Sequence, residues 1–161
     1  MSAEPKASRP HMPDYGLADA AEGLLPWSWA VERLKRTRNY WVISARPDGR
    51  PHTAAVWGVW IDDAFVFSTA TGSRKARNLQ QNASCAVCTE RADESVTIEG
   101  TAALVRDAGT LALFRRVYKE KYDWPMDEVV EGVYRVTPRV VFGFIEHANQ
   151  FSKTATRWTF E

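Results

Sequence analysis

The chain has 161 residues and carries 21 Lys plus Arg against 20 Asp plus Glu, a formal charge of +1, which excludes a nucleic-acid binder driven by bulk charge. At 45% apolar and 25% charged residues it has the composition of one ordinary globular domain. Its longest apolar runs, such as Ala54 to Ile61, fall far short of the ~18 to 20 residues that a membrane-spanning helix needs, and no basic-then-apolar leader opens the chain, so a cytoplasmic protein is expected.

Residues 1–25 hold Pro5, Pro10, Pro13, Gly16 and Gly23 among few large apolar side chains, so this segment is expected to be a flexible arm outside the fold, with one domain over 26–161. From Pro26, the residues Trp27, Ala30, Val31 and Leu34 fall at helical spacing and predict a short amphipathic helix. Strand-like runs follow over Asn39 to Ala45, Pro51 to Ile61 and Ala64 to Thr69, separated by the turns Pro47-Asp48-Gly49 and Asp62-Asp63. A short helix near Ser73 to Gln81 precedes strands over Ser84 to Glu90 and Ser95 to Val105. The second of these alternates Val96, Ile98, Gly100, Ala102 and Leu104 with Ser95, Thr97, Glu99 and Thr101. Asp107 is the expected N-cap of a helix whose buried stripe is Leu111, Phe114, Tyr118 and Tyr122, ending before Pro125. Gly132 to Thr137, Val140 to Glu146 and Ala155 to Phe160 bring the strand-like runs to eight, for seven or so short strands and three helices. Short antiparallel strands with helices at the corners fit a closed or nearly closed β-barrel, because closure removes exposed edges.

Two patterns that look chemical are discounted. Cys85-Ala-Val-Cys88 has the spacing of a redox or metal pair, but in a strand residues three apart point to opposite faces, so the two thiols cannot share a ligand. His11, His52 and His147 lie at no metal-ligand spacing, and no zinc site or other metal is expected.

The informative stretch is Phe67 to Leu79. A strand ends in the hydroxyls Ser68 and Thr69, the chain turns at Gly72, Ser73 caps a helix, and Arg74, Lys75 and Arg77 crowd the opening turn. A helix N-terminus carries partial positive charge, so each exposed cation there costs roughly 0.3 to 1 kcal/mol unless an anion compensates. Free backbone N–H groups, a hydroxyl and a guanidinium fork all donate to one phosphate or carboxylate. By itself the pattern specifies an anion and nothing finer.

Ser73-Arg74-Lys75 after Phe67-Ser68-Thr69 resembles the phosphate-binding segment of the pyridoxamine 5′-phosphate oxidase-like family, the flavin-binding split β-barrels. The order of Gly49-Arg50-Pro51-His52, Val56-Trp57-Gly58, Ser73-Arg74-Lys75 with Asn78-Leu79, Val96 to Gly100 and Ala155 to Phe160 is similar to the flavin/deazaflavin branch, many of whose members use coenzyme F420. The resemblance covers roughly residues 26–161. It implies a mainly β split barrel with a few peripheral α-helices, paired as a homodimer, with the tricyclic ring in a groove between subunits. Carried over by position, Ser73, Arg74 and Lys75 meet the cofactor phosphate, Ser68 and Thr69 the ribityl chain or phosphate, and Ala55, Val56 and Trp57 run along the ring. Ser95 is a polar ring contact, and Arg157 and Trp158 reach the partner's site. No C-terminal basic substrate-phosphate motif of true pyridoxamine phosphate oxidases is present.

The implied activity is an F420-dependent oxidoreductase, a reductase moving hydride between a deazaflavin and a planar conjugated small-molecule acceptor. FMN is the alternative cofactor, and a non-catalytic carrier of a flavin or haem-like ligand is the alternative of another class. F420 extends its phosphodiester into a lactyl-oligoglutamate tail and so needs further cationic surface, for which Arg33, Lys35, Arg36 and Arg38 are candidates. A hydride transferase leaves the hard chemistry to its cofactor, so the lack of a catalytic triad or paired carboxylates is no obstacle, and no general acid is assigned.

Overall fold

The computed structural model describes residues 3–127 and 131–161. Nine strands and four helices are present among them: β1 (Lys6–Ser8), α1 (Trp27–Arg36), β2 (Tyr40–Ala45), β3 (Pro51–Val56), β4 (Val59–Ile61), β5 (Ala64–Ser68), α2 (Arg74–Gln81), β6 (Ser84–Thr89), β7 (Glu94–Leu104), α3 (Ala108–Tyr122), β8 (Val133–Ile145), α4 (Phe151–Thr154) and β9 (Thr156–Thr159). All pairings are antiparallel, in the order β1-β9-β8-β7-β6-β2-β3, with β5 joined to the first half of β8 and β4 to β5. No ladder joins β3 to β4, so the barrel is split, as expected. No helix among the described residues is long and apolar enough to cross a membrane.

The strands sort their side chains by alternation. Inward go Tyr40, Val42, Val87, Val96, Ile98 and Val141, all buried completely. Trp41, Ile43, Ala55, Thr97, Phe142 and Phe144 face outward on the same ladders, and Trp41 is 45% exposed. A second apolar cluster lies under α3, where Phe114, Tyr118 and Tyr122 pack on Val59, Ile61, Val66 and Val133.

Three boundaries differ from the sequence expectation, each for a local reason. Residues 51–61 are not one strand. At Gly58 a side chain would strike the Phe65 ring at 2.3 Å, and the chain breaks there between β3 and β4. Conversely, 133–145 is one strand through Pro138. That residue, which has no N–H to give, sits beside a bulge where Glu99 pairs with Val140 but Gly100 pairs with Pro138, leaving Arg139 as the extra residue. Leu104, grouped with the buried face, is 43% exposed at the end of its strand.

The amino-terminal segment was expected to stay out of the fold, yet Lys6–Ser8 pairs with Arg157–Thr159. Arg9 explains how so polar a segment is held: its guanidinium donates to the carbonyls of Ala18, Ala20, Glu22 and Ala155. Hydrogen bonds supply what apolar burial does not, and composition alone carries no sign of that.

Candidate anion site at the entry of helix α2

Helix α2 starts as the sequence predicts. The Ser73 hydroxyl accepts the Ala76 N–H at 3.1 Å and lies 3.0 Å from the Thr69 hydroxyl, so the strand-end hydroxyl and the cap form one pair. The Thr69 N–H donates to the Gly132 carbonyl (2.9 Å), and Gly132 has φ +71° with its would-be Cβ 2.0 Å from Thr69 O, so only glycine closes the strand end this tightly. Beneath, Asn78 is fully buried and donates to the Ser44 hydroxyl at 3.0 Å, tying α2 to β2.

The cations collect on that platform. Arg74 feels the positive charge of Arg77 most strongly, followed by partial burial and then Arg46 and Arg50 of the β2–β3 turn; together these hold its pKa below the usual guanidinium value, and only Asp48 opposes them. Arg50 is paired with Asp48 at 2.8 Å, while among the described residues none of Arg46, Arg74, Lys75 and Arg77 has a carboxylate within ion-pair distance. His52 completes the cluster. Burial first, then Arg46, Lys75 and Arg74, push its pKa below the ordinary imidazole value, so the ring is neutral at pH 7, and its buried Nδ1 has no hydrogen-bond partner.

Sequence reasoning singled out Ser73, Arg74 and Lys75; it quoted Arg50 and His52 only within a motif and did not set them, or Arg46, beside α2. The signal was present in Arg46-Pro-Asp-Gly-Arg50, a turn with an arginine at each end. Such a turn reads as solvated until the sheet sets it beside α2.

The remaining expected site residues fall in three places. Ala55, Ser95 and Arg157 lie on the outer face of the sheet, opposite Trp41, Phe144 and Phe142 respectively, with Arg157 Nε donating to the Ser8 hydroxyl at 3.3 Å. Val56 turns inward opposite Tyr40, and Ser68 ends β5 opposite Val133. Trp57 lies away from the cations, stacked on Tyr122 at 4.5 Å and 5° with the Arg38 guanidinium 5.1 Å from its ring centre.

Trp158 departs most from expectation. It is fully buried, edge-on to Trp27 at 5.4 Å, and fills the space that a Cβ on Gly143 would take at 2.7 Å, so this ring is core and cannot extend to a partner. Of the proposed extra cations on α1, Arg33 is spent on Glu94 at 2.6 Å and Arg36 on Glu32 at 3.1 Å. Cys85 packs inward against the core and Cys88 pairs opposite outward-facing Trp41, so the thiols are on opposite faces; the described residues contain no group of three or more His, Cys, Asp or Glu able to hold a metal.

Comparison with known proteins bears on this arrangement. The family model described as pyridoxamine 5′-phosphate oxidase matches residues 30–145. The chain belongs to that family. The match spans β2 to β8, with the β2–β3 turn and α2, so the cation cluster lies inside the family's shared region. No curated protein matches the chain. Among solved structures, a conserved hypothetical protein, Rv2991, from Mycobacterium tuberculosis is 21% identical with a TM-score of 0.68, over 80% of this chain and 89% of that one. An F420 reductase is 24% identical with a TM-score of 0.57, over 76% and 98%. The haem storage protein HutZ from Vibrio cholerae is 17% identical with a TM-score of 0.58, over 75% and 95%. At these identities the likeness is one of fold.

Proposed function

We propose that this family member is an F420-dependent oxidoreductase that moves hydride between a deazaflavin and a planar conjugated small molecule, and that it works as a homodimer in the cytoplasm. The observation that carries the reading is the excess of positive charge at α2. A phosphate monoester such as that of FMN is matched by the Ser73 hydroxyl, the first N–H groups of α2, Arg74 and Lys75. Arg46 and Arg77 are then left over, with Arg50 beside them on Asp48. The phosphodiester of F420 leads into a string of carboxylates, and an arginine-rich turn beside the phosphate pocket suits such a tail. The likeness in fold to an F420 reductase agrees with this.

When bound, the deazaflavin supplies two-electron hydride chemistry. The chain's own residues bind and orient. Ser73, Arg74 and Lys75 hold the phosphate, with Thr69 steadying Ser73. The outer sheet face, with Ala55 and Ser95, carries the ring. That face is apolar and unpartnered in one protomer, with Trp41, Ile43, Phe142 and Phe144 exposed or half-buried on it, and a second copy seated there both shelters them and excludes water from the ring. His52 stands beside the anion pocket with a buried ring nitrogen, Nδ1, that a ligand can hydrogen-bond.

Titration with F420, FMN and haem side by side, followed by fluorescence and absorption, tests the reading. F420 is expected to bind at least tenfold more tightly than FMN, with an affinity that falls steeply as salt rises. The double variant Arg46→Ala/Arg50→Ala is expected to weaken F420 and leave FMN unchanged. FMN or haem binding with no F420 binding overturns the assignment, and a monomer by size-exclusion chromatography with the cofactor bound overturns the shared-groove arrangement.

A further inference from the structure

A cavity of about 620 Å³ lies away from the anion site, between α1, β4 and α3. Trp60 and Ile61 contribute from β4, Val31 from α1, and Leu113 and Val117 from α3. Among the described residues β4 pairs only with β5, so its other edge is open.

The hairpin geometry fixes which backbone groups that open edge presents. Asp62 and Asp63 both have positive φ (48° and 56°), a two-residue turn of the kind that makes its flanking residues, Ile61 and Ala64, a hydrogen-bonded pair. In antiparallel ladders such pairs alternate, so Trp60 and Phe65 form a non-hydrogen-bonded pair, and the N–H and C=O of Trp60 point away from β5. Neither has a partner among the described residues, although Trp60 is only 5% exposed. Buried backbone groups almost always have partners.

A second observation stands at the other end of the cavity. Lys121 lines it, and its ammonium donates to two neutral oxygens, the Tyr40 hydroxyl at 2.7 Å and the Gly58 carbonyl at 3.0 Å. A third N–H remains, no carboxylate of the described residues lies within ion-pair distance, and Lys35 lines the same cavity. Glu120 is also in the lining, as are Asp62 and Asp63 at the turn end.

We propose that this cavity captures the carboxyl terminus of an extended peptide. The peptide adds antiparallel to β4, its penultimate residue exchanges both backbone hydrogen bonds with Trp60, and its terminal carboxylate meets Lys121. The direction follows from two constraints. Only an antiparallel neighbour lets one residue satisfy both groups of Trp60. An antiparallel chain also ends at the Gly58 end of β4, where Lys121 lies; a last residue opposite Val59 brings its carboxylate to that ammonium. Alternation then turns the last side chain toward the α3 wall and the penultimate one toward α1, both apolar. This is strand addition with a charged stop, and it does not depend on the cofactor reading.

The test presents the immobilised full chain with two pools of hexapeptides, randomised over apolar residues at the last four positions, one ending in free carboxylates and one in amides. The free-carboxylate pool is expected to be retained at least tenfold over the amide pool, and N-methylation of the penultimate residue of a retained peptide to weaken it at least tenfold. Lys121→Met is expected to abolish the preference for the carboxylate, and Lys121→Arg to keep it. Addition of a retained peptide is expected to shift the Trp60 amide in a nitrogen–proton correlation spectrum. Equal retention of the two pools, or retention with the Trp60 amide unmoved, overturns the proposal.

Discussion

Two clusters of cations and polar groups sit at opposite ends of β3, and they treat charge in opposite ways. At the Gly58 end the hydroxyl of Tyr122 and the backbone of Gly58 are settled within the chain. Tyr122 Oη accepts the Gly58 N–H at 3.0 Å and lies 2.7 and 2.8 Å from the Arg38 and Gly58 carbonyls, to one of which it donates. Burial brings the pKa of Lys121 down to about 8, which leaves its ammonium charged at neutral pH and held by the Tyr40 hydroxyl and the Gly58 carbonyl. At the His52 end only Arg50 has a carboxylate, that of Asp48, while Arg46, Arg74 and Arg77 have none within ion-pair distance among the described residues, around a helix N-terminus that already disfavours them. The first arrangement holds the β3–β4 break in place; the second carries a standing electrostatic cost that only an added anion removes.

The largest test of this contrast is Arg74→Glu. Losing one charge-assisted bond and adding a repulsive carboxylate is expected to weaken F420 binding by about a hundredfold or more, which corresponds to ~2.7 kcal/mol. The ligand-free protein should not lose stability, and its thermal midpoint should rise slightly, because a carboxylate suits a helix entry by roughly 0.3 to 1 kcal/mol. A clear fall in the midpoint would show the arginine to be structural and erase the contrast.

Tyr122→Phe probes the other end and should behave in reverse. Removing the hydroxyl strands the Gly58 N–H in a buried position, at a cost of about 1 to 3 kcal/mol in urea unfolding, while cofactor affinity stays within twofold. Ser73→Ala is expected to cost about 1 kcal/mol as a lost N-cap and to weaken cofactor binding as well, because that hydroxyl serves both helix and anion.

The smallest effect is a pH dependence at the Gly58 end. Lys121 loses its proton near pH 8 when folded and near its ordinary value when unfolded, so between these the unfolded chain binds more protons and stability rises with pH. Tyr122, pushed up to about 12 by burial, works the other way above pH 10, where the unfolded phenol ionises first and stability falls. Cys85, pushed up to about 11, and Tyr40, also raised by burial, add to that fall, so a urea midpoint followed from pH 7.5 to 11 should pass through a maximum near pH 9. In Lys121→Met the rising limb should vanish and the falling limb remain.

Much of this was legible in the chain. The caps Ser73 and Asp107 and the buried stripe of α3 are short-range patterns, set by neighbours three or four residues apart, and they hold. Trp158 misleads because a tryptophan in a terminal strand has the same local signature whether it points in or out. Alternation is known only up to a choice of face, and Gly143 on the neighbouring strand makes that choice. Arg9 misleads in the other direction, since its acceptors are carbonyls, which every residue carries and none advertises.

The sequence alone determined the strand and helix types, the antiparallel character and the crowded cations after Gly72, because propensity, periodicity and capping act over a few residues. Tertiary structure alone decided that Arg46, Arg50 and His52 join those cations, that Trp158 is core, and that one edge of β4 stays open. Each of these depends on which strand lies beside which, and that is settled by burial of side chains far apart in the chain, a sum that no local window contains.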